Sequence, residues 1–227
     1  VTKGSIFTRI GYEFNDKSLF ETAVTHSSYT RENNMPQSSC NERLEFLGDA
    51  YLDIIIAEEL YSRLPEENEG ILTKFRALIV CGPSLAEVAR KIDLGRELKL
   101  GKGEEQAGGR DRESIIANAV EAVIAAIVMD GGYAKGRDFV LEHFEKRIRD
   151  VISGKIHSDY KSELQEYYQV NGPVEISYEL INEEGPDHDK TFHVRVMVGG
   201  LQKGSGSGKS KKEAEQNAAR EALVKGE

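Results

Sequence analysis

Apolar residues recur at helical spacing up to about position 150, and at alternate positions only beyond it. Within Lys17 to Ser28, Leu19, Phe20, Ala23 and Val24 stand in helical phase, and Asn15 or Asp16 can cap the first turn. TRENNMPQSS, residues 30–39, is polar with one proline and reads as a loop. The next helix is expected from about Cys40 to Leu64, with Asn41 as a cap and Pro65 as a stop. Ile71 to Ile92 reads as one or two helices broken near Gly82 and Pro83. GKGEEQAGGR, ending at Arg110, reads as a flexible glycine-rich loop. It has neither a strand before it nor a GK[ST] ending, which excludes a P-loop. Residues 113–130 and Tyr133 to Ile152 complete an all-α region.

The pattern then changes. SGKIH, residues 153–157, is a short linker. A helix over Tyr160 to Gln169 precedes two alternating runs, Val174 to Ile181 and Thr191 to Val198, which are strands by their period of two. GGLQKGSGSGKS holds a short third strand and a glycine-rich loop, and a last helix starts near Ser210. The expected organisation is an all-α domain over 1–152, a linker over 153–157, and an α+β domain of order α-β-β-β-α over 158–227.

Two of the helices carry candidate chemistry. In NERLEFLGDAYLD, Glu42, Glu45 and Asp49 lie at i, i+3 and i+7, within an arc of roughly 60° on a helix. Leu44, Phe46, Leu47, Tyr51, Leu52, Ile54, Ile55 and Ile56 cover most of the rest. Aligned carboxylates repel and are costly to desolvate. A hard divalent cation, magnesium or manganese, would relieve both costs. The alternative is a solvated acidic face. The helix over 113–130 is apolar all round, as buried helices are, yet holds Asn118 and Glu121 one turn apart. Glu121 there needs a partner: a shared metal, or a structural hydrogen bond or ion pair. His26, in THSSY, could serve catalysis but fits a hydrogen-bonded structural histidine better.

Composition adds limits. With 39% apolar and 30% charged residues the chain can bury a core. No stretch approaches 18 apolar residues, so no membrane span is expected. Cys40 and Cys81 lack metal or disulfide spacing and read as free thiols of a reducing, cytoplasmic compartment. A net charge of −9 argues only weakly against a nucleic-acid partner, because binding depends on local clusters. Lys203, Lys209, Lys211 and Lys212 form one with no acid among them. The last three stand at a helix start, where lysines are disfavoured unless an anion joins them.

NERLEFLGDAYLD and IIANAVEAVIAAIVMDGG resemble the two signature blocks of ribonuclease III. DYKSELQEYYQ, GPDHDKTFHV and GSGSGKSKKEAEQNAAREAL resemble its double-stranded-RNA-binding domain, in the order of the minimal bacterial type. The resemblance implies a magnesium-dependent homodimeric endoribonuclease, manganese also serving. It would cut double-stranded RNA to 5′ phosphate and 3′ hydroxyl ends with two-nucleotide 3′ overhangs, in rRNA and mRNA processing. It places Glu45, Asp49, Asn118 and Glu121 at the metal, with Asp49 and Glu121 catalytic. Glu42 and Glu69 become further acids of the site or dimer interface, and Phe46 packs across the dimer. Ser162, Gln165, Glu166, Gln169, His188, Lys209, Lys211 and Lys212 become RNA contacts. The family most often has aspartate where this chain has Asn118. If Asn118 disables the metal site, the implied function is a non-catalytic double-stranded-RNA-binding regulator.

Overall fold

The computed structural model describes residues 5–154, 156, 160–170, 172–186 and 190–225. The chain divides into two units, Val1–Ile156 and His157–Glu227. The first holds α1 (Ile6–Ile10), α2 (Lys17–Ala23), α3 (Ser27–Glu32), α4 (Glu42–Arg63), α5 (Glu69–Val80), α6 (Gly82–Lys91), α7 (Lys102–Gln106), α8 (Glu113–Gly131) and α9 (Tyr133–Ile152). Its one β feature among the described residues is an isolated bridge between Thr25 and Lys99.

Helix α8 is the axis of this unit. From Ile115 to Val128 every residue is buried except Asn118 and Glu121. Helices α2, α4, α6 and α9 pack around it. Its 19 residues and mean hydropathy of 1.7 match a membrane span, so the expectation that no stretch reaches that length is corrected. Two-thirds of that stretch is buried inside the unit, which is how a core helix meets the same test. At its end the Asp130 carboxylate accepts hydrogen bonds from the Tyr12 hydroxyl (2.7 Å) and the backbone N–H groups of Asn15 (2.8 Å) and Asp16 (2.9 Å). These bonds fasten the segment before α2 to the end of α8.

Helix α4 crosses α8 at Gly48. A Cβ there would collide with the backbone carbonyl of Glu121, so only glycine permits this approach. Further along α4, the buried Glu59 accepts hydrogen bonds from Arg63 (2.8 Å) and Arg137 (2.6 Å), which compensates its charge. GKGEEQAGGR is not an open loop: α7 and a 3-10 turn at Gly109–Asp111 fold it. There the Arg110 guanidinium donates to the carbonyls of Gly95, Arg96 and Leu98.

The second unit runs α10 (Tyr160–Gln169), β1 (Ile176–Glu184), β2 (Thr191–Val198), β3 (Leu201–Gly208) and α11 (Lys211–Lys225). The strands form an antiparallel sheet in the order β1-β2-β3. The short third strand expected in GGLQKGSGSGKS is β3, and it runs on to Gly208 through the glycine-rich part expected to be a loop. Gly204 and Gly206 face α11, where a Cβ would strike the backbone of Ala218. Alanines 214, 218, 219 and 222 are buried on the helix side, so a strand without side chains meets a helix with the smallest ones. Tyr160, Leu164, Val194 and Val196 complete this separate core.

Candidate metal centre and nucleic-acid interface

The crossing at Gly48 brings the acids of α4 beside the two polar residues of α8. The Asn118 amide donates a 2.8 Å hydrogen bond from Nδ2 to Oε1 of Glu45. Glu45 is half-buried, and burial, with the charges of Glu42 and Asp49, raises its pKa against the lowering effect of that bond. Glu121 is pushed further, to about 7, by burial first and then by the charges of Asp49, Glu45 and Asp53. No lysine or arginine is among these influences, so among the described residues the ion-pair alternative for Glu121 finds no partner.

The donor set is therefore oxygen-rich, anionic and short of positive charge, which suits a hard divalent cation. The site is gathered rather than clenched. Among the described residues no three His, Cys, Asp or Glu side chains converge as a ready-made cage. Asp53 escaped the sequence reading. It lies one turn beyond Asp49, its charge reaches Glu121, and Arg76 stands 3.8 Å from it. The i+4 spacing from Asp49 was the available signal.

Of the other expected residues, only Glu42 is among the charges that act on Glu45. Glu42 is exposed in the first turn of α4, held below the usual carboxylate range chiefly by the hydrogen bond from Gln37. Glu69 is exposed at the start of α5, where Thr73 donates to it, and it is not among the charges acting on Glu45 or Glu121. His26 caps α3, its Nδ1 2.8 Å from the Ser28 hydroxyl, so it has the structural role. Phe46 is 80% exposed and shares an outward stripe of α4 with Ile54 and Tyr61.

In the second unit, Ser162, Gln165, Glu166 and Gln169 share one exposed face of α10, at i, i+3, i+4 and i+7. Lys209, Lys211 and Lys212 are exposed around the start of α11. Ser210 accepts from the Glu213 N–H, and Glu213 accepts from the Lys209 N–H, so this start is capped by its own residues. Lys211 lies 3.5 Å from Glu183 and 5.9 Å above the Phe192 ring. His188 lies outside the described residues.

The first unit is thus a helical core with a carboxylate cluster, and the second an α-β-β-β-α module with lysines at one helix start. A family profile described as Ribonuclease-III-like matches residues 16–148, and the Double-stranded RNA binding motif matches residues 160–225. "Ribonuclease 3" of Caldanaerobacter subterraneus is 52% identical over 217 residues, 96% of this chain and 95% of its own length. That of Clostridium beijerinckii is 49% identical over 222 residues, 98% of this chain and 95% of its own. Among solved structures, a nuclease domain of Campylobacter jejuni ribonuclease III is 38% identical with a TM-score of 0.58, covering 62% of this chain and 94% of that one. Its description concerns a region involved in dimer formation. The chain belongs to the ribonuclease III family and is an endoribonuclease of that type. Membership is consistent with divalent-metal dependence.

Proposed function

We propose that the protein is a homodimeric, magnesium-dependent nuclease of double-stranded RNA, leaving 5′ phosphate and 3′ hydroxyl ends with two-nucleotide 3′ overhangs. The observation that carries this reading is Glu121, on which the charges of Asp49, Glu45 and Asp53 bear with no lysine or arginine among the influences on it. Glu45, Asp49 and Glu121 would hold the metal, with the Asn118 amide oxygen available as a neutral donor. When bound, the ion polarises the scissile phosphate and lowers the pKa of the attacking water. Asn118 keeps Glu45 oriented through its N–H bond. Glu121 can hold a proton near neutral pH and must release it to ligate, so metal affinity rises with pH through about 7.

The exposed face of α10 offers donors and acceptors to 2′-hydroxyls, with His188 as a further contact, and the lysines at α11 offer charge to phosphates. This mode reads A-form shape more than sequence. The exposed stripe of Phe46, Ile54 and Tyr61 supports pairing through the nuclease unit, and a two-fold dimer suits a two-stranded substrate. We place its work in the cytoplasm, on rRNA and mRNA precursors.

The test is duplex RNA incubated with protein and magnesium and resolved on a gel. Glu45→Ala and Glu121→Ala should bind the duplex and fail to cut it. Cleavage by either variant at the parent rate would remove these residues from the metal. Asn118 favours one competing reading, a binding regulator without cleavage, and an uncut duplex with the parent protein would establish it.

A further inference from the structure

In the second unit one acid stands inside the lysine cluster. Glu183 lies near the end of β1, opposite Phe192 of β2. Its Oε1 is 3.5 Å from Nζ of Lys211, and its Oε2 is 3.6 Å from Nζ of Lys190. Each carboxylate oxygen thus meets one ammonium. The two lysines come from different elements: Lys211 opens α11, and Lys190 immediately precedes β2. Lys211 also lies over the Phe192 ring, and Lys209 donates to the Thr191 hydroxyl at 3.4 Å. Three lysines are therefore gathered around the first residues of β2, with Glu183 among them.

The other acids of β1 are engaged elsewhere. Glu179 pairs with Arg195 at 2.8 Å, and Glu184 accepts from Asn182 and stands 3.7 Å from His193. The contacts of Glu183 are open ones: its side chain and those of Lys190 and Lys211 keep 34%, 37% and 61% of their surface. Pairs so exposed to solvent add little to stability, and another anion can replace the carboxylate at little cost. A backbone phosphate offers the lysines what the carboxylate does, two oxygens sharing one negative charge.

We propose that Glu183 is a built-in stand-in for an RNA phosphate. It occupies Lys190 and Lys211 in the free protein, and duplex binding exchanges it for the sugar–phosphate backbone. This rests on the reading of the second unit as a binder of double-stranded RNA. The charge of Glu183 stays beside the incoming phosphate and repels it, so the grip on RNA is weaker than the lysines alone would give.

The experiment measures binding of a fluorescent RNA duplex to the full-length protein in EDTA, across a series of sodium chloride concentrations. Glu183→Gln keeps the shape and an acceptor oxygen and removes the charge. It should tighten binding about fivefold at about 150 mM salt, from one repulsion lost at roughly 7 Å across a mostly aqueous gap. It should also steepen the salt slope by up to about 0.9. Glu179→Gln changes the net charge equally but acts on Arg195, and should alter affinity by less than about twofold. With Lys190→Gln and Lys211→Gln already in place, Glu183→Gln should gain less than about twofold, because no phosphate is then drawn to that spot. The proposal is overturned by weaker or unchanged binding in Glu183→Gln, by an equal gain in Glu179→Gln, or by a full gain without the two lysines. A parent protein that ignores the duplex is a different result: it brings down the RNA-binding reading, and this proposal with it.

Discussion

Asn118→Asp tests whether the amide stands in for a cation while the site holds none. The Nδ2 donation to Glu45 Oε1 spans 2.8 Å, and the variant replaces that donor with a carboxylate. A hydrogen bond to a charged group contributes about 1.5–3 kcal/mol. The new repulsion, at about 3.5 Å and an effective dielectric near 20, is about 5 kcal/mol before relief. Both residues are half-buried, so solvent screening and proton uptake remove much of it. A net loss of about 2–3 kcal/mol at pH 8 is expected after that discount. For a unit of this size each kcal/mol moves Tm by roughly 2–4 °C, so the melt should fall by roughly 4–12 °C in chelator. Magnesium should reverse the order, because four carboxylates hold it more tightly than three. A ligand at a hundred times its Kd adds about 2.7 kcal/mol, and the variant should reach that point at lower magnesium. The assay is calorimetric melting of parent and variant in EDTA and across a magnesium series, following the transition of the first unit. Equal Tm values in EDTA, or equal magnesium responses, would refute the reasoning.

Three further outcomes follow from the same geometry. Glu121 has a folded pKa near 7 against 4.5 for the free group, so in EDTA its ionisation costs stability as pH rises from about 4.5 to 7; Glu121→Gln should flatten that decline in a pH series of melts. Gly48→Ala should cost about 3 kcal/mol or more, because a Cβ would meet backbone rather than a flexible side chain; urea unfolding of the first unit reads it, and an unchanged midpoint would show that α4 and α8 can part. Lys211→Ala with Lys212→Ala should lower the salt slope of duplex binding by between about one and two, the smaller value if Glu183 already neutralises Lys211.

The sequence revealed most where burial and polarity conflict within one helix. Asn118 and Glu121 interrupt an otherwise unbroken apolar run, and the structure leaves those two residues of the buried run partly open. Strand β3 was foreseen, but its glycine-rich half was illegible for the opposite reason. Its signal is missing side chains, and Gly204 and Gly206 look like a loop until the alanines of α11 are seen against them. The segment holding α7 was read as flexible because its glycines conceal the clamp that Arg110 makes on three carbonyls. Asp53 was overlooked because one helix alone does not show how far its charge reaches.

The glycine where α4 crosses α8 also governs when the centre comes into being. Glu45 and Asn118 are 73 positions apart along the chain, so their meeting waits for long-range docking of two finished helices. The RNA-binding module has a core of its own, which draws no residue from that crossing. A molecule caught midway through maturation could therefore grip duplex without harming it, and incision becomes available only to chains that have passed their own test of correct assembly.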